Sequence, residues 1–337
     1  MAAWLARRKA PAPETRTRRC EVPQLRGRAL PVSLYGLVVD CEFPLPEPIV
    51  RVRKERPDVV FRLAGPSKRV EAPAEVLTRP HYRAERYADG QFRFCWPGIF
   101  ECVLSADGAD VAVHPFSDEV DQAFTTYLFG HVLSFVLLKL GIEPLHATVL
   151  GASDGAVGIL GDSGFGKSTL AAALIEAGLH LITDDLLVLR PDGATLMAQP
   201  GLPRLKLWPE AAAAFLPGSP SRPMAPGTRK RIYHLDPPSW EPHARPLKAL
   251  YVLRSPAAKM RTTRVTIRGI PRTKAFVDIT RNTFNSWVVD PARLRGQFRF
   301  ASDLTSRVPV RSLTYPPGYD ELPRVVSRLL HDASREG

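Results

Sequence analysis

Several things are scarce in this 337-residue chain, and each scarcity narrows its class. There are only four cysteines, Cys20, Cys41, Cys95 and Cys102, all in the first third and none in a C-x-x-C pair. That argues against a disulfide scaffold or a cysteine zinc site and fits thiols in a reducing compartment. Long apolar runs are missing as well. The stretch Phe124–Leu140 is interrupted by His131 and Lys139 and falls short of the ~20 residues a membrane span needs, so a buried core helix is expected there. The start, MAAWLARRKA, carries charge where a secretory leader carries its apolar core. No internal repeat is visible. The expectation is a cytoplasmic protein with no membrane association.

What is present is ordinary for a globular protein: 45% apolar and 24% charged residues, over a length that accommodates two units. The 33 prolines imply many loops and short elements. The net charge of +12 is uneven. Residues 1–28 carry eight Lys/Arg against two acids, and residues 222–274 carry thirteen against two, which leaves the remainder acidic. Neither basic stretch interleaves aromatic residues as RNA-binding modules do, so no nucleic-acid partner is expected. These stretches are either solvated surface or sites for anionic ligands.

Three segments are expected. Residues 1–28, rich in Arg, Ala and Pro, read as a flexible basic arm. Residues 29–115 alternate short β runs with prolines, and Asp89-Gly90 and Asp107-Gly108 read as hairpin turns, so a small antiparallel β domain is predicted. Residues 116–337 read as an α/β catalytic domain. It would open with a helix capped by Ser117, with Asp118, Glu119 and Asp121 in its first turn, and ended by Gly141. Strands at about 146–151, 156–160, 179–183 and 186–190 come next, with a helix over 167–177. Further on, RLKLWPEAAAAF predicts a strand running into a short helix, and 217–227 a loop. Strands are expected at 247–254 and 264–267, and helices over 272–283, 291–302 and 319–334.

The strongest motif is GDSGFGKS, which fits G-x-x-x-x-G-K-[ST] with Gly161, Gly166, Lys167 and Ser168. An apolar strand, AVGIL, precedes it and a strong helix former, TLAAALIEA, comes after it. In such a loop the backbone N–H groups of Gly161, Asp162, Ser163, Gly164, Phe165 and Gly166 can curl around a phosphate chain. The helix start beyond the loop, including Thr169, adds partial positive charge. Lys167 supplies an ammonium for the β and γ oxygens, and the Ser168 hydroxyl suits Mg²⁺. ATP and Mg²⁺ are therefore the expected ligands. The second motif is Asp184-Asp185 at the end of LHLIT. Carboxylates at the end of a strand beside the P-loop strand can hold Mg²⁺, and one of two adjacent acids is free to accept a proton from an attacking hydroxyl.

The segment GDSGFGKSTLAAALIEAGLHLITDDLLVL resembles the catalytic core of the HPr kinase/phosphorylase family, in which a paired Asp-Asp comes after the P-loop at the same distance and a histidine precedes it. The resemblance spans about residues 146–189. It implies that Asp184 is the catalytic carboxylate that polarises a substrate serine, that Asp185 is a supporting and metal-binding acid, and that His146 sits near the phosphates; a lone histidine is equally at home as a satisfied core residue. The family's glycine-rich signature has no counterpart after Arg190. A looser match, through PRLKLWPEAAAAF and GTRKRIYHLD, is similar to HPr-kinase-like enzymes of peptide natural-product clusters, whose lasso-peptide members phosphorylate a precursor peptide on serine. That resemblance implies that Lys230 and Arg231 lie over the nucleotide, with Arg204, Lys206 and Arg229 as weaker candidates; a surface basic cluster is the other reading. It also implies a serine-containing peptide or protein as partner and, as is common among HPr-kinase-like proteins, a homo-oligomer. The competing functions are a small-molecule kinase and an NTP-hydrolysing switch protein.

Overall fold

The structure, a computed structural model, describes residues 30–45, 49–53, 56–117, 121–152, 154–254 and 263–334. The expected basic arm, Cys20, Asp118 and Glu119 lie outside these residues.

Eight short strands between Val32 and Pro115 form one sheet. Its hairpins are local: Phe92–Trp96 pairs antiparallel with Phe100–Leu104, and Phe100–Leu104 with Asp110–Pro115. The sheet is mixed, not antiparallel as expected. The strand Val59–Leu63 lies between Leu37–Cys41 and Asp110–Pro115 and runs parallel to both. Parallel neighbours need long crossovers, and the connection between Cys41 and Val59 supplies one. Hairpin turns announce themselves in sequence; a crossover does not.

The chain then enters the apolar run. Its helix begins later than Ser117 suggested. Asp121 is the cap, its carboxylate accepting from the Phe124 N–H at 2.7 Å. The helix is also not uniform: Gln122–Thr126 is α-helical, Tyr127–Val132 widens into a π turn, and Leu133–Lys139 is α-helical again. Apolar residues surround this rod on nearly every side, and a helix of that kind must be covered all round. Phe124, Leu128, Phe129 and Phe135 are fully buried in one cluster with Phe61, Phe94, Trp96 and Phe100 of the first sheet. Leu186, Val188 and Leu202 close the same cluster from the far side, so the rod is a shared wall between the two halves. Each such aromatic contributes on the order of 1.5–3 kcal/mol by leaving water.

The second sheet carries the P-loop strand, Gly155–Leu160. It pairs antiparallel with Leu145–Ala152 on one side and parallel with Arg245–Leu253 on the other. Beyond Arg245–Leu253 lies Val310–Thr314, again parallel, and then Thr266–Gly269. Beyond Leu145–Ala152 lies His180–Thr183, which runs antiparallel to it and so in the direction of the P-loop strand. Helices cover both faces. Lys167–Glu176 and Leu322–Ala333 share one apolar cluster, while Arg272–Arg281 and Pro291–Arg307 contribute to the other. A small third sheet has Arg231–His234 at its centre, paired antiparallel with Arg204–Leu207 on one side and Ser221–Pro223 on the other; the last of these falls inside the segment expected to be only loop. The carboxyl ends of Gly155–Leu160, His180–Thr183, Arg245–Leu253 and Val310–Thr314 thus point the same way, and ligands of open α/β sheets bind outside that edge.

Candidate active site

The motif Gly161–Ser168 forms the turn between the strand Gly155–Leu160 and the helix Lys167–Glu176. Gly166 is the N-cap residue of that helix at φ +91°, a left-handed conformation in which a side chain would be strained. Gly161, at φ +145°, lies so close to Leu253 that a Cβ would come within 3.1 Å of that residue's Cβ. Lys167 is buried; its Nζ donates to the carbonyl oxygens of Gly161 at 2.6 Å and Asp162 at 3.3 Å. Burial pushes its pKa down, against the pull of Asp184 and Asp185.

Asp184 and Asp185 leave the strand His180–Thr183 at the same edge, with Leu145–Ala152 inserted between that strand and the P-loop strand, so the two are not adjacent as expected. The two acids face different partners. Asp184 is buried, and its Oδ1 accepts from the Thr148 hydroxyl at 2.7 Å and the Ser168 hydroxyl at 3.3 Å. Its Oδ2 accepts from the Lys206 N–H at 3.1 Å and lies 3.4 Å from the Ser168 hydroxyl. Burial, together with the charge of Asp185, pushes Asp184 up to about 6. Asp185 adopts φ +76°, unusual for a residue with a side chain, and forms an ion pair with Lys206. Burial raises its pKa, but Lys206 and then His146 outweigh burial and hold it below the usual carboxylate range. Of the two acids, the one whose carboxylate lies beside the Ser168 hydroxyl is Asp184.

A cleft of about 380 Å³ lies in front of these groups. Ser163, Gly164, Gly166, Lys167, Ser168 and Thr169 form its floor, and Asp185, Lys206 and His146 line it beside them. Its opposite wall is the π turn, through Tyr127, Gly130 and His131. His146 lies near the start of the strand Leu145–Ala152, its N–H donating to the Asn282 carbonyl at 2.7 Å and its ring meeting Phe284 edge-on at 5.3 Å. Burial holds its pKa down at about 4. Lys230 lines the cleft, with its ammonium 5.8 Å from the Trp208 ring centroid. Arg231 does not reach it: its guanidinium donates to the Ser221 hydroxyl at 2.8 Å and carbonyl at 3.0 Å, tying two strands of the third sheet. Arg229 pairs with Glu210 at the surface. Buried Arg204 donates to the Thr125 hydroxyl at 3.0 Å, joining the third sheet to the apolar rod.

Sequence reasoning underrated Lys206 and missed Thr148 and the π turn. Lys206 carried a signal in the alternation of RLKL, which puts Arg204 and Lys206 on one face of a strand. The π turn carried only Gly130 within an apolar run.

Whether these residues suit Mg²⁺ can be judged from their donor atoms. Ser168 and Asp184 offer hydroxyl and carboxylate oxygens, the hard donors that ion prefers. Among the described residues no group of three or more His, Cys, Asp or Glu surrounds a potential metal position. That fits an ion held through one or two protein oxygens, with nucleotide and water supplying the rest. No helix of the described residues is long and apolar enough to cross a membrane.

No family model matches the chain. Two curated HPr kinase/phosphorylases, from Clostridium botulinum strains Eklund 17B and Alaska E43, are each 36% identical to it over 77 residues, 23% of this chain and 25% of theirs. The chain thus matches a quarter of the length of those relatives. Among solved structures, the Hpr(Ser) kinase/phosphatase from Coxiella burnetii superposes with a TM-score of 0.32 at 14% identity, covering 57% of this chain and 91% of that one, a likeness too slight to carry weight. The described architecture is mixed α/β with several sheets, and over those 77 residues the chain is similar to HPr kinase/phosphorylases.

Proposed function

We propose that the chain is an ATP-dependent serine kinase that transfers the γ-phosphate to a serine of a peptide or protein, with a precursor peptide of the lasso type as the acceptor. The observation that carries this reading is the division of labour in the acid pair. Asp184 turns to the P-loop through Ser168, while Asp185 lines an open cleft that an acceptor can enter. The local likeness to HPr kinase/phosphorylases supports the same reaction class.

In this reading Lys167 and the backbone N–H groups of the loop bind the β and γ phosphates. Ser168 and Asp184 are the residues that would hold Mg²⁺, which when bound neutralises charge on those phosphates. Asp185 is the base. It accepts the proton of the serine hydroxyl as that oxygen forms its bond to the γ-phosphorus, and the bond from phosphorus to the bridging oxygen breaks to release ADP. Lys206 keeps Asp185 ionised and aimed into the cleft. Lys230 stands at the rim, where it can meet the negative charge spread over the transferring group. His146, neutral and packed against Phe284, shapes the wall. The catalytic unit would be residues 116–337, with 29–115 serving acceptor recognition through the rod it packs against.

The test is incubation with Mg-ATP and serine-containing peptides, including lasso-type precursors, read by mass spectrometry. One added phosphoryl group, mapped to serine, is the expected result. Bound ATP with no phosphorylated product across the set would sink the kinase reading, and ADP formation only with small hydroxylated metabolites would move the acceptor to that class.

A further inference from the structure

A second cleft, of about 270 Å³, lies on the other side of the phosphate-binding loop and shares Gly164, Gly166 and Thr169 with the first. Neither the motif nor the phosphoryl-transfer chemistry uses it. The two linings differ in charge. The first cleft sets Lys167, Asp185, Lys206 and Lys230 among rings such as Tyr127 and Trp208, whereas the second is lined by Phe165, Tyr315, Tyr319 and Leu322 with Arg254 as its one charged side chain. Phe165 and Tyr319 are 37% and 42% exposed. Tyr319 is steadied by Phe215, whose ring stands edge-on to it at 5.7 Å. Tyr315 comes directly after the strand Val310–Thr314, and Arg254, which also lines the cleft, directly after Arg245–Leu253. Both therefore sit at the carboxyl edge of the sheet, on the side of the P-loop strand away from Asp184 and Asp185. Arg254 is held by Asp278. The Tyr315 hydroxyl lies near the helix start, 3.4 Å from where a Cβ on Gly166 would be, and has no hydrogen-bond partner among the described residues.

We infer that this aromatic cleft takes the base and sugar of the nucleotide. The inference rests on the P-loop and kinase reading and adds a location to it. In-line transfer puts the acceptor at one end of the triphosphate and the nucleoside at the other. The acceptor end is fixed by Asp185 and Lys206. The nucleoside must then leave the loop on the opposite side, which is where Phe165, Tyr315 and Tyr319 stand. Thr169, in the first turn of the helix and common to both clefts, marks the crossing. Aromatic side chains beside a phosphate cradle suit a purine, because stacking accepts any flat ring and needs no matched donors. The Tyr315 hydroxyl supplies a polar contact.

The experiment compares ATP with inorganic tripolyphosphate, which has the same phosphates and no nucleoside, by isothermal titration calorimetry with Mg²⁺ present. The proteins are the full-length chain and the variants Tyr319→Ala, Tyr315→Phe and Trp208→Ala. Wild type should bind ATP more tightly than tripolyphosphate. Tyr319→Ala should weaken ATP about tenfold, the scale of one lost stacking partner, and Tyr315→Phe by a smaller factor. Both should bind tripolyphosphate as wild type does, which also shows that they are folded. Trp208→Ala lies in the first cleft beside Lys230, so any loss there should be the same for ATP and tripolyphosphate. Equal losses for both ligands in Tyr319→Ala, or an ATP-specific loss in Trp208→Ala in place of Tyr319→Ala, would overturn the assignment. So would equal affinity of wild type for the two ligands, although the P-loop reading would then stand. Binding of neither ligand by wild type would remove that reading and the inference together.

Discussion

The hydroxyl of Ser168 lies 3.3 Å from Oδ1 of Asp184, though sixteen residues separate the two in sequence and a whole strand separates them in the sheet. Their meeting depends on Leu145–Ala152, the strand between them. Thr148 of that strand holds Asp184 at 2.7 Å, so the carboxylate is fixed before any ligand arrives.

The acid pair should separate on mutation. Asp185→Asn should lower phosphoryl transfer by about 10²–10⁴, the usual worth of a general base, with ATP affinity within a few-fold of wild type. Asp184→Asn should weaken Mg²⁺-dependent ATP binding as well as transfer. Single-turnover kinetics with nucleotide titrations check this; the reverse pattern would exchange the two roles.

Among the described residues the Lys167 ammonium donates only to the backbone oxygens of Gly161 and Asp162, so its removal should spare the fold. Lys167→Ala should cost at least about tenfold in ATP affinity, the scale of one charge-assisted contact, and abolish measurable transfer. Calorimetry and circular dichroism together check it, and an unchanged transfer rate would refute the P-loop assignment.

Arg293 and Glu143 form an ion pair at 2.7 Å with side chains only 9% and 7% exposed. Arg293 also donates to the carbonyls of Phe284 at 2.5 Å and Val288 at 2.9 Å, and so pins the segment that carries Phe284 to the cleft. Removing one partner strands a buried charge, so Glu143→Ala should destabilise the protein by about 3 kcal/mol. Urea denaturation measures it, and a loss under about 1 kcal/mol, the worth of a solvated pair, would mean that water enters the site.

Burial holds the pKa of His131 down at about 4, with Lys206 adding to the effect against Asp185. Its ring lies among those of Tyr82, Trp96 and Phe135, at 4.8, 5.7 and 6.4 Å. A histidine with a folded-state pKa below its unfolded value of roughly 6.5 gives stability that is complete above that value and is lost as pH falls towards about 4. The urea midpoint of wild type should therefore fall between about pH 6.5 and 4, and His131→Phe should reduce that slope. Parallel curves for the two proteins would show that His131 does not contribute.

Legibility from the sequence tracked the range of the interactions. Gly161–Ser168, the helix behind it and the strand ending at Asp184 are each local, and their patterns could be read. So could the hairpins, because Asp89-Gly90 and Asp107-Gly108 are turn chemistry. The parallel placement of Val59–Leu63 was hidden, since it arises from a crossover and shared burial with no local sign. Which carboxylate faces Ser168 was hidden for a similar reason: it turns on the positive φ of Asp185, which sends adjacent side chains to different partners. Arg231 shows the converse. The resemblance through GTRKRIYHLD marked it for the nucleotide, while the third sheet claims its guanidinium for Ser221.

The π turn at Tyr127–Val132 carries a consequence of its own. A π turn accommodates one residue more than an α-helix does over the same stretch, so its existence depends on chain length and not on side-chain identity. Loss of a single codon there would let the helix close into regular α geometry and rotate one half against the other by about 100°, one residue's share of a 3.6-residue turn. Gly130 and His131 would swing off the cleft wall although no residue of the phosphate-binding loop had changed. Part of the cleft's wall is thus written in the reading frame of a helix packed against the other sheet, where a comparison of aligned residue types would record nothing more than a gap.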